Sequence, residues 1–355
     1  ASAPPARLMM SLRLLVPLFF LPFRVLALPP GNFDYSEADA IRFFHMAAAA
    51  YGDRHEDCVR RAFPAYEERR LHSNNTQECD VLGHSCAAFA VHSDAMREII
   101  VVFRGTKTLT QLFTEGWQSL TPAVDFFGMG KVNRYFMTAH LSMWPPIEQY
   151  LNDPNYWGYS VVFTGHSLGG ALAALAAART VKQGFRAFYQ VRVVTFGEPR
   201  VGSARFAFGY DALVPNTFRV VNGRDVVPHL PGCAKNTALQ ERNVAPCDPN
   251  TPDEPYQHGT EIWYPDGMPP SQSRRRYVIC HGAPQNEDFA CSDTLKFRFD
   301  DISDAVADHR EYFGVKVSEH GKRGCITTPQ ELDEPPAIQR AIDSFNGFLK
   351  RIGIH

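Results

Sequence analysis

The sequence lacks features that would indicate a nucleic-acid-binding, zinc-binding or membrane-spanning protein. Its 355 residues carry 36 Lys and Arg against 38 Asp and Glu, so no basic surplus points to nucleic acid. No CxxC pair occurs, which argues against zinc ribbons and dithiol redox sites. The apolar N-terminal run LLVPLFFLPF is too short to cross a bilayer. An apolar fraction of 45% and a charged fraction of 21% instead indicate a globular chain.

The N-terminal segment has the parts of a secretory signal peptide. A charged residue precedes the short apolar run 14–23, and small residues follow the run. We therefore predict a leader and signal peptide over residues 1–27, cleavage after Ala27 and a secreted mature chain. The sequon Asn74-Asn75-Thr76 fits export and predicts an N-glycan on Asn74.

The eight cysteines are even in number, which is typical of disulfide bonding in exported proteins. Three pairs are close enough in sequence to bridge short loops: Cys79–Cys86, Cys233–Cys247 and Cys280–Cys291. The remaining pair, Cys58–Cys325, would then join the two ends of the domain. Buried free thiols are the alternative that this pattern leaves open.

Apolar segments of strand length alternate with segments of helix length, which predicts parallel crossovers and an α/β fold with one core domain over 28–355. The predicted strands cover 86–92, 98–103, 159–164, 191–196, 217–221 and 260–264, and the predicted helices cover 37–50, 134–150, 169–182 and 203–210. The polar residues 53–85 are expected to form a loop. Residues 231–291 are predicted to be a cysteine-rich excursion from the sheet, and 326–355 a C-terminal extension.

One motif carries most of the chemical information. Gly165-His166-Ser167-Leu168-Gly169-Gly170 follows an apolar strand and opens an alanine-rich helix. A GxSxG motif between a strand and a helix is typical of a strained turn that holds a nucleophilic serine clear of the sheet. The context therefore predicts that Ser167 is a nucleophile.

A serine nucleophile needs a base, and the base needs an orienting carboxylate. On this kind of fold the order along the chain is serine, acid and then histidine. Asp225 follows the predicted strand 217–221, so it is expected at the sheet edge where active-site groups gather. Spacing favours His309 as the base, but it leaves His229 and His258 open as alternatives.

At this point the chain resembles a known family, the class 3 or fungal-type triacylglycerol lipases of the α/β-hydrolase superfamily, and most closely the secreted nematode members. The matching stretches lie in family order over roughly 40–325. They are Val102–Thr106, Gly165–Gly170, Thr195–Gly202, Arg219–Pro228, His258–Tyr264 and Asp308–Phe313.

The resemblance implies an α/β-hydrolase fold with a mostly parallel sheet and helices on both faces. It assigns the catalytic triad to Ser167, Asp225 and His309, and the oxyanion-hole donors to Thr106 and Leu168. The four disulfide pairs given above also resemble the family's pattern. No metal, cofactor or nucleic acid is implied, and the implied partner is a lipid substrate at an oil–water or membrane surface. We expect a monomer.

A lid is also implied, directly after Thr106. Leu109, Leu112, Phe113 and Trp117 recur at helical spacing, and the family covers its site with a short amphipathic segment here. An ordinary core-packing helix is the alternative reading.

The expected function is that of a secreted serine ester hydrolase acting on acylglycerols through an acyl-enzyme intermediate. A phospholipase or a soluble-ester esterase on the same fold remains open as an alternative. A third reading is an inactive lipid-binding relative.

Overall fold

The computed structural model describes residues 34–78, 85–105, 123–240, 244–269, 275–297 and 302–326. Helices in these ranges are α1 Glu37–Ala49, α2 His55–Ala62, α3 Arg134–Leu151, α4 Leu168–Lys182, α5 Ala204–Leu213, α6 Ile302–Arg310 and α7 Val317–Lys322. The leader and signal peptide, Thr106 with the predicted lid, Cys79 and the C-terminal extension lie outside the described residues.

An eight-stranded sheet forms the centre of the fold, in the order β1-β2-β3-β6-β7-β9-β11-β12. Its strands are β1 Arg70–Glu78, β2 Ser85–Ser93, β3 Glu98–Phe103, β6 Ser160–His166, β7 Val191–Phe196, β9 Thr217–Asn222, β11 Thr260–Tyr264 and β12 Val278–Cys280. The pairs from β3 through β6, β7 and β9 to β11 are parallel, and the outer pairs are antiparallel.

Shorter strands form two accessory sheets. One has the order β10-β8-β5-β4, with β4 Val124–Asp125, β5 Lys131–Val132, β8 Gly202–Ser203 and β10 Pro255–Tyr256. The other pairs β13 Glu311–Tyr312 with β14 Val315–Lys316. None of the helices in the described ranges is both long and apolar enough to span a membrane.

The apolar central strands are covered on both faces. Along β3, Ile99 and Val101 pack in the cluster that includes α3 and α4, whereas Ile100 and Val102 pack with α1 and α2 on the opposite face. Successive side chains of a strand point to opposite faces, so a strand buried on both sides reads as an uninterrupted apolar run. This two-sided burial explains why the sequence predicted the central strands well.

The predicted loop over residues 53–85 is wrong, because this region contains α2 and β1. Within the described ranges β1 is an edge strand that pairs with β2, and most of its residues alternate between exposed and half-buried. Backbone pairing with β2 and side-chain contacts with α3, such as His72 on Tyr150, hold it in place, so no apolar pattern in its sequence indicated a strand.

Between cysteines that both lie in the described ranges, three disulfide bonds join Cys58–Cys325, Cys233–Cys247 and Cys280–Cys291, with Cα–Cα distances of 5.0, 5.7 and 6.2 Å. The first connects α2 to the segment after α7 across 267 positions of sequence. The other two lie in the predicted excursion between β9 and α6. No cysteine in the described part of the chain is a free thiol.

Candidate active site

Ser167 lies on a sharp turn between β6 and α4. Its backbone has φ 59° and ψ −130°, a combination that L-residues rarely adopt. The turn is possible because its neighbours are small. A Cβ on Gly165 would overlap the backbone of Gly169, and a Cβ on Gly169 would overlap the backbone of Phe103. The sequence motif therefore produces the strained turn that the strand–GxSxG–helix context predicted.

Asp225 follows the end of β9, on the same edge of the sheet as Ser167. The turn that carries it includes Gly223 at φ 49°, and the amide of Asp225 donates to the carbonyl of Asn222 at 2.9 Å. The carboxylate is fully buried, and its Oδ1 accepts a hydrogen bond of 2.9 Å from the Val227 amide. Burial and backbone bonding hold this acid in one orientation.

His309 is brought to Asp225 by α6. Its Nδ1 lies 3.0 Å from both Oδ1 and Oδ2 of Asp225, and its side chain is almost fully buried. A carboxylate only accepts, so Nδ1 carries the proton, and Nε2 of the neutral ring is the basic nitrogen. Ser167 Oγ makes no hydrogen bond within the described residues. In hydrolases without ligand the serine–histidine contact is often loose.

The turn that holds the acid and the segment that holds the base are tied together directly. Asn222 Nδ2 donates to the carbonyls of Asp308 at 3.1 Å and Glu311 at 2.7 Å. The Arg224 amide donates to the Asp308 carboxylate at 2.7 Å. These bonds fix the distance between the two segments before any substrate is present.

Tyr312 adds a further donor to the acid. Its hydroxyl donates to Asp225 Oδ2 at 2.6 Å. Burial, followed by the charge of Asp225, raises the pKa of Tyr312 well above its ordinary value, so the hydroxyl keeps its proton. The carboxylate is thus held by His309, Val227 and Tyr312.

Gly197 lies directly against Asp225 and His309. It has φ 57°, and a Cβ at this position would lie 2.6 Å from Asp225 Oδ2 and 2.8 Å from His309 Nδ1. Only a residue without a side chain leaves room here for the acid and the base to meet.

The two alternative histidines have other surroundings. The backbone carbonyl of His229 accepts a hydrogen bond from Arg200, and its ring packs on Phe297 with centroids 5.0 Å apart. His258 is fully buried, with Nε2 3.3 Å from Oε1 of Glu198. Of the three candidates, His309 is the one that the structure brings to Asp225.

Of the remaining predicted site residues, some lie in the described ranges and others do not. Leu168 begins α4 directly after the serine, so its backbone amide belongs to the helix N-terminus. Asn74 is exposed on the edge strand β1. Thr106, Leu109, Leu112, Phe113 and Trp117 lie outside the described residues, as does Cys79 of the predicted pair Cys79–Cys86.

Sequence reasoning missed Tyr312, Asn222 and Gly197 as site residues. A signal was present, since Asn222 directly follows the predicted strand 217–221 that leads to Asp225, and Tyr312 lies three positions after His309. Hydrogen bonds between segments this far apart in sequence become visible only after folding.

Three groups of His, Cys and carboxylate atoms in the described ranges are close enough to hold a metal ion, but each contains a disulfide-bonded cysteine. A disulfide sulfur cannot supply the thiolate that a metal prefers. Their donor sets therefore do not fit a metal centre.

Comparisons with known proteins agree with this geometry. Residues 100–235 match the family model described as lipase (class 3). The chain is 45% identical to a lipase of Caenorhabditis elegans over 300 residues, which are 83% of this chain and 84% of the relative.

Solved structures show the same fold. The Rhizomucor miehei lipase propeptide complex superimposes with a TM-score of 0.60 at 23% identity, over 80% of this chain and 83% of that one. A triacylglycerol lipase reported to have a serine protease triad as its catalytic centre gives 0.57 at 23% identity, over 80% and 97%. The extent of the nematode match settles the family: the chain belongs to the class 3 lipases and has their α/β-hydrolase fold.

Proposed function

We propose that Ser167, Asp225 and His309 form a catalytic triad that hydrolyses the carboxylic esters of acylglycerols. The observation that carries this proposal is the pair of 3.0 Å contacts from His309 Nδ1 to the buried Asp225 carboxylate, at the sheet edge that carries Ser167 on its strained turn. A neutral histidine held in this tautomer presents its basic Nε2 to a serine hydroxyl.

The first half of the reaction makes an acyl-enzyme. His309 Nε2 takes the proton of Ser167 as Oγ attacks the ester carbonyl, and a tetrahedral intermediate forms. The imidazolium is stabilised by Asp225, and it then protonates the departing glycerol oxygen as the carbon–oxygen bond breaks. In the second half, water attacks the acyl-serine with the same base, releasing the fatty acid and restoring Ser167.

The oxyanion of both tetrahedral intermediates needs donors that are already in position. We assign one donor to the backbone amide of Leu168, at the N-terminus of α4, where helix amides point away from the helix and favour negative charge. The second donor is assigned to Thr106 through the family resemblance.

A lipid ester is the favoured substrate class, since the Caenorhabditis elegans relative and the Rhizomucor miehei structure are both lipases. A phospholipid or a soluble short ester would use the same triad and is the alternative. A secreted location is supported by the disulfides and by the exposed sequon residue Asn74. A mass shift on enzymatic deglycosylation that Asn74→Gln abolishes would test the glycan.

A hydrolysis panel tests the proposed function. Wild type and Ser167→Ala are compared on triolein, tributyrin, phosphatidylcholine and p-nitrophenyl butyrate. We expect the wild type to release most fatty acid from the triacylglycerols, and Ser167→Ala to lower kcat by roughly 10⁴ to 10⁶. Phosphatidylcholine as the best substrate would favour the phospholipase alternative. Retention of more than about a tenth of the activity by Ser167→Ala would contradict the triad.

A further inference from the structure

His166, the residue before the nucleophile, has both ring nitrogens in hydrogen bonds. Its Nε2 lies 2.8 Å from the backbone carbonyl oxygen of His309, and its Nδ1 lies 2.8 Å from the hydroxyl of Tyr51. A carbonyl oxygen only accepts, so Nε2 carries the ring proton. In the neutral ring Nδ1 is then the acceptor, and Tyr51 is the donor. The two contacts fix the tautomer of His166 and the direction of the bond from Tyr51.

The hydroxyl of Tyr51 also contacts the loop after β3. A Cβ on Gly105 would overlap this hydroxyl and would lie 2.6 Å from the carbonyl oxygen of His166. Burial raises the pKa of Tyr51, and the charge of Arg104, followed by the nearby Gly105 backbone, opposes that rise. Gly105 directly precedes Thr106, to which we assign an oxyanion donor. One hydroxyl therefore links this loop to the residue before the nucleophile.

The ring of His166 also lies against the ring of the base. The centroids of His166 and His309 are 4.6 Å apart, with 29° between the planes. The ring of Tyr312 lies 5.7 Å from His166, and Arg104 acts electrostatically on Tyr51. Burial, and then the neighbouring His309, hold the pKa of His166 well below its ordinary value. His166 therefore stays neutral, and it does not oppose the positive charge that His309 gains during catalysis.

We propose that Tyr51 is a positioning residue whose hydroxyl keeps His166 in its neutral tautomer beside His309 and supports the loop that leads to the oxyanion donor. This inference rests on the proposed triad, in which His309 is the base. Without the hydroxyl, the His166 ring loses one of its two hydrogen bonds and can turn or shift. A displaced His166 would move His309, which it contacts through its ring and through the backbone carbonyl.

The test compares Tyr51→Phe, His166→Gln and the double variant with the wild type. Tyr35→Phe is the matched control, because Tyr35 also has a buried hydroxyl with a 2.8 Å hydrogen bond, to Tyr264. For each protein, kcat and KM for p-nitrophenyl butyrate are measured from about pH 5 to 9, together with the urea midpoint of unfolding. Both tyrosine variants lose a buried hydrogen bond, so the midpoint alone does not distinguish them.

We expect Tyr51→Phe to lower kcat about tenfold with KM changed by less than about twofold. Gln at position 166 keeps an amide donor for the His309 carbonyl but lacks the ring on which the Tyr51 hydroxyl acts. The double variant should therefore lower kcat no further than His166→Gln alone.

A kcat in Tyr51→Phe that equals that of Tyr35→Phe would overturn the positioning role. So would a double variant whose loss of kcat equals the product of the two single losses, because Tyr51 would then not act through His166. A wild type without esterase activity, or an active Ser167→Ala, would instead overturn the proposed function. These two proteins are assayed separately from the Tyr51 and His166 variants, so the two failures can be distinguished.

Discussion

The hydroxyl of Tyr312 lies 2.6 Å from Oδ2 of Asp225, and it belongs to the same short segment as His309. The Asp225 carboxylate therefore contacts two side chains, those of His309 and Tyr312, that lie only three positions apart. A movement of this segment therefore shifts the base and the hydroxyl donor together relative to the acid.

Removing the hydroxyl with Tyr312→Phe should loosen Asp225 without abolishing the triad. A hydrogen bond to a charged group contributes about 1.5–3 kcal/mol. The Val227 amide and His309 remain in contact with the carboxylate. We therefore expect kcat to fall about tenfold on a soluble ester, with KM nearly unchanged. An unchanged kcat would show that the remaining contacts are sufficient to orient the acid.

Gly197→Ala should disrupt the acid–base contact sterically. The new Cβ would lie 2.6 Å from Asp225 Oδ2, closer than any ordinary contact of a Cβ atom. Small displacements of catalytic groups lower rates by about 10²-fold, and we expect a loss of this size in kcat. Gly184→Ala is the matched control, because Gly184 has φ 79° but nothing within 4 Å of an added Cβ. Equal loss of activity in both variants would indicate backbone strain alone as the cause.

Arg200 forms a buried ion pair with Glu287 and so joins the segment after β7 to the segment before α6. It is almost fully buried, and its Nε and Nη2 each lie 2.7 Å from a carboxylate oxygen of Glu287. Breaking a buried pair leaves a charge without its partner, so Arg200→Met should lower the free energy of unfolding by about 3–5 kcal/mol. The exposed pair of Arg276 and Asp266 is the control. Arg276→Met should leave the urea midpoint almost unchanged.

The pair of His45 and His320 should make stability depend on pH. Their Nδ1 and Nε2 atoms are 2.9 Å apart. Burial first, and then Arg61, lower the pKa of His45 to about 4, and burial and His45 lower that of His320 to about 4. The unfolded chain binds more protons than the folded chain between the ordinary histidine pKa and about 4. The stabilisation is therefore complete above about pH 6.5 and is lost as the pH falls toward 4.

Urea midpoints at about pH 7 and pH 5 measure this effect, in a range where few carboxylates titrate. The loss of stability between the two should be smaller in His320→Gln than in the wild type. His281→Gln, at an exposed position, is the control and should keep the wild-type difference. The same slope in all three proteins would assign the acid sensitivity to other buried histidines, such as His140.

The sequence predicted those parts of the site that depend on local pattern. The turn of Ser167 follows from small residues between an apolar strand and a helix, and the position of Asp225 follows from the end of β9. Spacing favoured His309 but left His229 and His258 open, and the family resemblance then assigned the base to His309. The roles of Tyr51 and Tyr312 arise from contacts across the fold, which no local pattern records. The edge strand β1 was missed because its residues are polar and its contacts are with segments far away in sequence.

The bond between Cys58 and Cys325 makes most of the described chain a covalent ring. A protease that cuts once at a surface loop inside this ring does not divide the protein, because the two pieces stay joined near α2 and α7. The nicked protein would keep its mass in a non-reducing gel and separate into fragments only after reduction. The segments that carry Ser167, Asp225 and His309 would thus stay joined after a first cleavage, since all three lie inside the ring.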